Sequence, residues 1–406
     1  MDSALSTAAR SLSSGDPLSA LKLVALRGDA PALALRGIAM AQLGELGRAR
    51  QLLKRAAAAF GATEPVARAR VRVAEAEVTL ALREVGGASD ELEQAIELLF
   101  RTGDAANAAL GRLVQVRRLA LLGRADAAVR ELRRLVLSAA PHRLAALAAL
   151  IEGDLAMRRA DARTAQTALA RARTAAVGAR IPALLAEVER AEQQLAAPVA
   201  RLRQAGESRL LQLRELEPLF ASGALVVDAC RREARCGART VSLIRRPLLL
   251  ELLVALAEAG REGVPREQLI SRVFGARRVN ESHRVRLRVE VGRLRKLVRS
   301  LARLEATPSG FALAPLDAGE VASLLPPAAG EASALLALLR GGEAWSTSAL
   351  AAAIGKSQRA VQRALAGLTA DGRVRASGRG PAQRWIATPT AGFATTLLLV
   401  APGSLG

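Results

Sequence analysis

The sequence contains no tyrosine, two tryptophans and six phenylalanines. It therefore lacks the aromatic platforms on which single-strand readers stack unpaired bases. Two cysteines exclude a disulfide framework. Together with two histidines they make four soft metal ligands, but His142 lies far along the chain from Cys230, Cys236 and His283. A four-ligand zinc site would need all four to converge, and small thiols ordinarily fill space. His142 falls in a helical segment and His283 at the start of a basic helix, so no Ser/His/Asp or Cys/His set offers nucleophilic chemistry. Enzymatic activity is not expected. Two phosphate-loop look-alikes also fail: Gly355-Lys356-Ser357 has Leu350 where the first glycine belongs, and Gly378-Arg379-Gly380 does not open a helix. No cofactor is expected.

Long apolar runs are missing too. Arginine interrupts the helical segments every few residues, and Met1-Asp2-Ser3-Ala4 carries no basic leader, so neither a signal peptide nor a membrane span is expected. The uncharged tail from residue 389 to 406 contains a possible strand at Thr395-Thr396-Leu397-Leu398-Leu399-Val400, flanked by Pro389 and Pro402, which break it too often for a span.

What is present is arginine. Lysine and arginine together number 59 against 38 acidic residues, a net charge of +21 over 406 residues. All but four of the 59 are arginine. Part of this bias is compositional, because Ala, Leu and Gly are inflated with it. The field it creates still favours polyanionic partners, nucleic acid first. With 51% hydrophobic and 24% charged residues, the chain is expected to fold, and its length suits several domains.

From about residue 17 to 196 the pattern is almost continuously helical, with short breaks every 15–20 residues. Similar turns recur at Leu43-Gly44-Glu45-Leu46-Gly47, Gly86-Gly87-Ala88, Leu122-Gly123-Arg124-Ala125-Asp126 and Arg159-Ala160-Asp161-Ala162, about 36–40 residues apart. Two helices per period is the mark of an α-solenoid, with an irregular helical bundle as the alternative. The stretch resembles tetratricopeptide repeats, best over Ala34 to Ala59. Residues 1–200 are accordingly expected to form a helical-repeat domain and 201–222 a helical linker.

Beyond Ser222-Gly223 short strands are expected at Ala224–Val227 and Arg239–Leu243. Pro247 and Gly260 bracket one helix and Pro265 starts the next. A third helix is expected from about Ser282 to Leu301, with Leu287, Val291, Leu294 and Val298 as its buried stripe. The opposite side presents Val285, Arg286, Val289, Arg293 and Lys296, with Arg284 beside them. Forked donors interleaved with small apolar groups suit a major groove, where Arg meets guanine acceptors and a Val methyl meets that of thymine. Between Arg277 and Arg299 nine residues are basic and two acidic, although such a face on a lone helix is more often simply solvated.

The run Leu225-Val226-Val227-Asp228, Arg231-Arg232-Glu233, Arg245-Arg246-Pro247-Leu248-Leu249-Leu250-Glu251-Leu252-Leu253, Arg266-Glu267-Gln268-Leu269-Ile270, Val273-Phe274-Gly275 and Arg293-Leu294-Arg295-Lys296-Leu297 resembles the OmpR/PhoB-type winged helix. That resemblance implies a domain over 223–314 whose third helix enters the major groove. It also implies a wing at Glu305-Ala306-Thr307, Pro308-Ser309-Gly310 and Phe311-Ala312-Leu313. A joint is expected at Pro315–Gly330.

Residues 331–388 carry a second candidate. Leu350 to Leu365, turning at Gly355-Lys356-Ser357, is similar to the helix-turn-helix of MarR- and DeoR-like winged helices. Ser357 is a good N-cap. The next helix buries Val361, Leu365 and Leu368 and turns Arg359, Gln362 and Arg363 outward, with Arg379 in a basic wing.

The expected fold class is mainly α: an N-terminal α-solenoid followed by two α+β winged-helix domains. The resemblances imply a bacterial-type, cytoplasmic, nucleoid-associated transcriptional regulator that binds double-stranded DNA. The repeats would engage a protein or peptide partner or a second copy in a homo-oligomer. The alternative is a scaffold or adaptor whose winged helices bind proteins.

Overall fold

Alanine, leucine and arginine, all strong helix formers, dominate the first half of the chain, and it folds there into helix after helix. The computed structural model describes residues 3–82, 84, 89–135, 140–276, 278–317, 319–328, 330–339, 344–371, 373–378, 380 and 383–387. The chain divides into two units, one up to Leu195 and one from Ala196 to Thr388, and among the described residues it is mainly helical, with eighteen α-helices. The expected turn at Gly86–Ala88, the residue Arg379 and the tail 389–406 lie outside the described residues.

The first unit holds α1 (Ser3–Ser13), α2 (Pro17–Val24), α3 (Ala30–Gln42), α4 (Leu46–Phe60), α5 (Pro65–Ala81), α6 (Ser89–Arg101), α7 (Ala105–Leu121), α8 (Ala125–Arg133), α9 (His142–Arg158), α10 (Ala162–Ala179) and α11 (Pro182–Ala196). Helix begins at residue 3, not 17, so α1 precedes the helical stretch expected from the sequence and pairs with α2 as a further hairpin. One local device closes successive hairpins. The amides of Asp16, Glu45, Glu84, Arg124 and Asp161 donate to the carbonyls of Ser11, Met40, Thr79, Leu119 and Ala156, five residues back, at 2.9–3.0 Å. At four of the five it is the six-to-one bond of a Schellman turn, with a left-handed residue just before the donor. Gly15, Gly44 and Gly123 supply it, and Ala160 adopts the same region at φ 59°. Asp16 and Asp161 then cap the following helix by accepting from the amides of Ser19 and Thr164.

The hairpins share a packing register as well. Gly37 and Gly153 each face a leucine sixteen residues further on, Leu53 and Leu169, so closely that an added Cβ would stand 2.8 and 3.0 Å from it. The same two positions are Ala8 and Val24, Ala76 and Leu92, and Val116 and Leu132 in the other hairpins. In the two glycine pairs a small residue thus faces a large one, which lets the helices approach closely.

Charge is also buried in this unit. Glu77 on α5 is fully buried, its carboxylate 3.9 Å from Arg117 on α7. Burial pushes the Glu77 carboxyl up to about 7, against the pull of Arg117. Arg117 is in turn held below the usual guanidinium range by burial, offset by Glu77, Glu187 and Asp154. Such a pair stabilises little beyond its own desolvation cost, but removing one member leaves a bare charge inside.

The second unit opens with β1 (Ala200–Gln204) and β2 (Glu207–Leu211), followed by a 3-10 turn at Leu213–Glu215 and α12 (Leu216–Ala221). The helical linker expected over 201–222 is therefore corrected to a hairpin and one short helix. Ala205 and Gly206, at φ 50° and 82°, form the two-residue turn. Positive φ at both positions matches strand twist, and it overrides the helix propensity of the flanking residues.

Next come β3 (Leu225–Asp228), β4 (Glu233–Cys236), β5 (Arg239–Ser242), α13 (Pro247–Ala259), β6 (Val264–Pro265), α14 (Arg266–Phe274), α15 (Glu281–Val298), β7 (Ala302–Ala306), β8 (Gly310–Pro315) and β9 (Val321–Leu325). One sheet has the order β2-β1-β9-β3-β4-β5 and a second the order β6-β8-β7. The joint expected at Pro315–Gly330 is corrected too. Val321–Leu325 is an interior strand, parallel to β3 and antiparallel to β1. Its Ala322, Ser323 and Leu324 are buried, so five residues of that stretch belong to the sheet and the connection to the next core begins only after Leu325.

Asp228 ends β3 and accepts from the amides of Cys230 and Arg231 at 2.8 and 2.9 Å. Burial, partly offset by the Arg231 amide, raises its carboxyl to about 6. Last come α16 (Glu331–Leu339), α17 (Thr347–Ile354), α18 (Gln358–Ala370), β10 (Val374–Ser377) and β11 (Arg384–Ala387). They gather around a separate core of Leu335, Leu339, Leu350, Val361 and Leu365.

Candidate nucleic-acid interface

The basic helix α15 is fixed at both ends and along one side. At its start the Asn280 side chain accepts from the His283 amide at 3.0 Å, while His283 Nδ1 accepts from the Asn280 amide at 3.4 Å. His283 is thus half of a capping box. Leu287, Val291, Leu294 and Val298 are buried as the spacing requires, with Glu290 beside them. Each such side chain contributes roughly 2 kcal/mol by burial, which ties this face to α13 and α14. Near the end, Arg295 donates through Nε and a terminal nitrogen to the Leu304 carbonyl at 3.2 and 3.0 Å. Arg295 therefore joins the helix to β7.

The β7–β8 hairpin is stitched to α14 in the same manner. The Arg266 amide donates to Ser309 O at 3.0 Å, its guanidinium to Pro308 O at 3.1 Å, and that guanidinium lies over the Phe311 ring at 5.3 Å. The strands at 302–306 and 310–315 form the expected hairpin and extend it at both outer ends, with Thr307 in the turn and Gly310 in the second strand. A rigid helix, a strand pair and their connection thus form one frame.

The outward face of α15 carries all six residues expected there. Arg284, Val285, Arg286, Val289, Arg293 and Lys296 are exposed, and the two valines are 49% and 48% accessible. The cations are not equally free. Arg284 pairs with Glu281 at 3.3 Å and Glu267 at 3.5 Å. Arg286 lies over the Phe274 ring at 4.7 Å, and Arg293 donates to the buried Glu290 carboxylate at 2.8 Å. These contacts restrict the rotamers of the guanidinium groups. Arg288, absent from the expectation, is also exposed and lies 3.9 Å from Glu281; its i+4 relation to Arg284 is the signal that would have found it.

Gly292 is a second residue that the sequence reading missed. Val285, Val289, Gly292 and Lys296 follow one another along this face at helical spacing, and a Cβ at Gly292 would meet nothing within 4 Å. Packing therefore does not require glycine, which costs about 1 kcal/mol in a helix interior. Gly292→Ala is expected to raise stability by about 1 kcal/mol, read as a higher thermal midpoint. If the face takes a closely approaching ligand, the same change lowers affinity while stability rises.

In the 331–387 region Ser346 and Ser357 cap α17 and α18, accepting from Ala349 and Ala360 at 3.1 and 3.2 Å. Gly355 between them is left-handed at φ 67°. Val361, Leu365 and Leu368 are buried and Arg359, Gln362 and Arg363 exposed, as expected. The β10–β11 pair is extended by a bridge from Trp345 to Trp385, and Trp385 Nε1 donates to Thr347 at 2.8 Å. Arg379 lies outside the described residues, so this second basic face rests on α18.

Elsewhere the chemistry-bearing residues are dispersed. Cys236 is buried and Cys230 half-buried, and no disulfide joins them. His142 packs against Gly178. Among the described residues no three His, Cys, Asp or Glu side chains gather as metal ligands, and no helix is long and apolar enough to cross a membrane. Comparison with family models, curated proteins and solved structures finds no match to the chain.

Proposed function

We propose that the chain is a sequence-specific, double-stranded DNA-binding transcriptional regulator. In this reading residues 223–314 act as an OmpR/PhoB-like winged helix and 331–388 as a second winged helix. The helical hairpins serve as a tetratricopeptide-like solenoid that receives a protein or peptide partner. One observation carries the reading: the α15 face, where two half-exposed valines lie among Arg284, Arg286, Arg288, Arg293 and Lys296. The valines stand four residues apart and put methyl groups beside the guanidinium forks on one helix face. A major groove accepts both guanidinium forks and methyl groups.

Phosphates supply the sequence-independent part of such binding, so affinity falls steeply as salt rises. Arg286, Val289 and Arg293 read bases on α15, and Arg359, Gln362 and Arg363 offer the same chemistry on α18. Arg284 and Lys296 neutralise phosphates. The test is selection of the full-length chain on random duplex DNA, followed by salt titration of the recovered sequences. A recovered motif with a steep salt slope supports the reading. Salt-sensitive binding without a motif indicates an architectural role, and no binding at low salt favours the protein-scaffold alternative.

On a recovered site, Arg293→Ala is expected to cost roughly 1–3 kcal/mol and relax specificity at one base position. Lys296→Ala is expected to weaken every sequence about equally and to lower the salt slope by about one. Matching effects from the two substitutions would remove this division of labour.

A further inference from the structure

In the helical hairpins the side chains of α4, α5, α6 and α7 and of Glu84 line a half-open cavity of about 260 Å³. Its walls come from residues one helical turn apart: Arg50 and Lys54 on α4, Arg72 and Ala76 on α5, Val114 and Arg118 on α7. The floor is apolar, formed by Leu80, Leu92 and Val114, and the rim is charged. Four cations line it against three carboxylates, Glu75, Glu84 and Glu91.

Those carboxylates already have partners. Arg50 donates to Glu84 at 2.6 Å, and Arg72 donates to the buried Glu75 at 2.8 Å and lies 3.5 Å from Glu91. The Arg50–Glu84 and Arg72–Glu91 pairs join α4 to the chain just beyond α5, and α5 to α6, among the lining side chains. They hold charged groups around an apolar floor that packing has not filled. With the carboxylates paired, the lining keeps a surplus of one positive charge, and Lys54 forms no ion pair among the described residues.

We propose that this cavity is a binding site for a small amphipathic organic anion. The apolar body rests on Leu80, Leu92 and Val114, and the anionic head meets Lys54 at the rim. The volume lies just below that of pockets for drug-sized ligands, so the ligand is a metabolite-sized molecule and not a length of peptide. The walls come from four successive helices, so an occupant ties neighbouring hairpins together and stabilises them by linkage. None of this depends on whether α15 binds DNA.

The test uses the full-length chain and two probes, octanoate by calorimetry and 8-anilinonaphthalene-1-sulfonate by fluorescence. One-to-one saturable binding by at least one of them is expected, with a rise in thermal midpoint. Lys54→Glu should weaken it at least tenfold and Lys54→Met several-fold. Arg130→Glu, the same charge change as Lys54→Glu on an exposed position of α8 outside the cavity, should leave it unchanged. Circular dichroism of each variant separates lost binding from lost fold, and Lys54→Met gives the answer if the charge reversal unfolds the hairpins. Three results would overturn the proposal: no saturable binding by either probe, equal losses at Lys54 and Arg130, or octylammonium binding as tightly as octanoate.

Discussion

Replacing Val289 by Glu is expected to abolish duplex binding, by 100-fold or more, while the fold stays intact. Val289 stands at the middle of the outward face of α15, 48% accessible and remote from the buried stripe. Glutamate is a better helix former than valine. At this position it also has Arg286 three residues before it and Arg293 four after, an arrangement worth a few tenths of a kcal/mol to the helix. Stability should therefore hold or rise slightly. Binding should collapse for two reasons that act together. A carboxylate would meet phosphates and base acceptors with no donor to offer, and it would compete for the Arg293 guanidinium. Val289→Ala removes only methyl contact and should cost a few-fold. Fluorescence anisotropy on a selected duplex, with circular dichroism on the same samples, reads both quantities. Wild-type affinity in Val289→Glu would mean that α15 does not enter the groove, whatever else the chain binds.

Gly310→Val should lower stability by about 3–5 kcal/mol, near the upper end of single-substitution effects. A Cβ at Gly310 would stand 1.8 Å from the Val264 carbonyl oxygen and 2.8 Å from the Pro265 Cα. The obstacle is backbone, so no rotamer change relieves it. The β6–β8 pairing, Val264 with Phe311 and Pro265 with Gly310, has to open. That would release the bonds from Arg266 to Ser309 and Pro308 as well. For a unit of this size the loss corresponds to a fall of about 10 °C in thermal midpoint. Gly310→Ala should show a large part of it, because the clash arises at Cβ itself. A midpoint within 2 °C of wild type for both substitutions would mean that this pairing does not anchor the hairpin. Duplex affinity should fall in parallel, since α14 and the hairpin set the attitude of α15.

The helices with the strongest punctuation were legible in the sequence. Pro247 and Gly260 mark the two ends of α13, Ser357 caps α18, and the spacing of Leu287, Val291, Leu294 and Val298 identifies the buried side of α15. Because a helix has one period, naming its buried side also names its exposed side. The six outward residues of α15 and the three of α18 followed from that alone. The recurrent turns were legible where glycine marked them, at Gly44 and Gly123, and also at Ala160, where only the neighbouring pattern did. Gly15 carries the same turn but stands before the long helical pattern begins, and it went unread.

Other features were decided only by tertiary structure. Residues 200–211 have a composition compatible with helix, and they became a hairpin because Ala205-Gly206 turns the chain and β9 offers β1 an edge to pair with. Val321–Leu325, five residues among prolines and glycines, has no periodicity of its own and is a strand only because β1 and β3 flank it. The partners of the arginines were equally invisible. Phe274 beneath Arg286, Glu290 beside Arg293 and the Leu304 carbonyl on Arg295 follow from how helices cross and strands lie. Thus local periodicity and turn chemistry, properties of neighbouring residues, determined the helices and their two faces. Strand partnership, the seam cavity and the aim of each guanidinium depend on residues far apart in sequence, and only the folded chain brings those together.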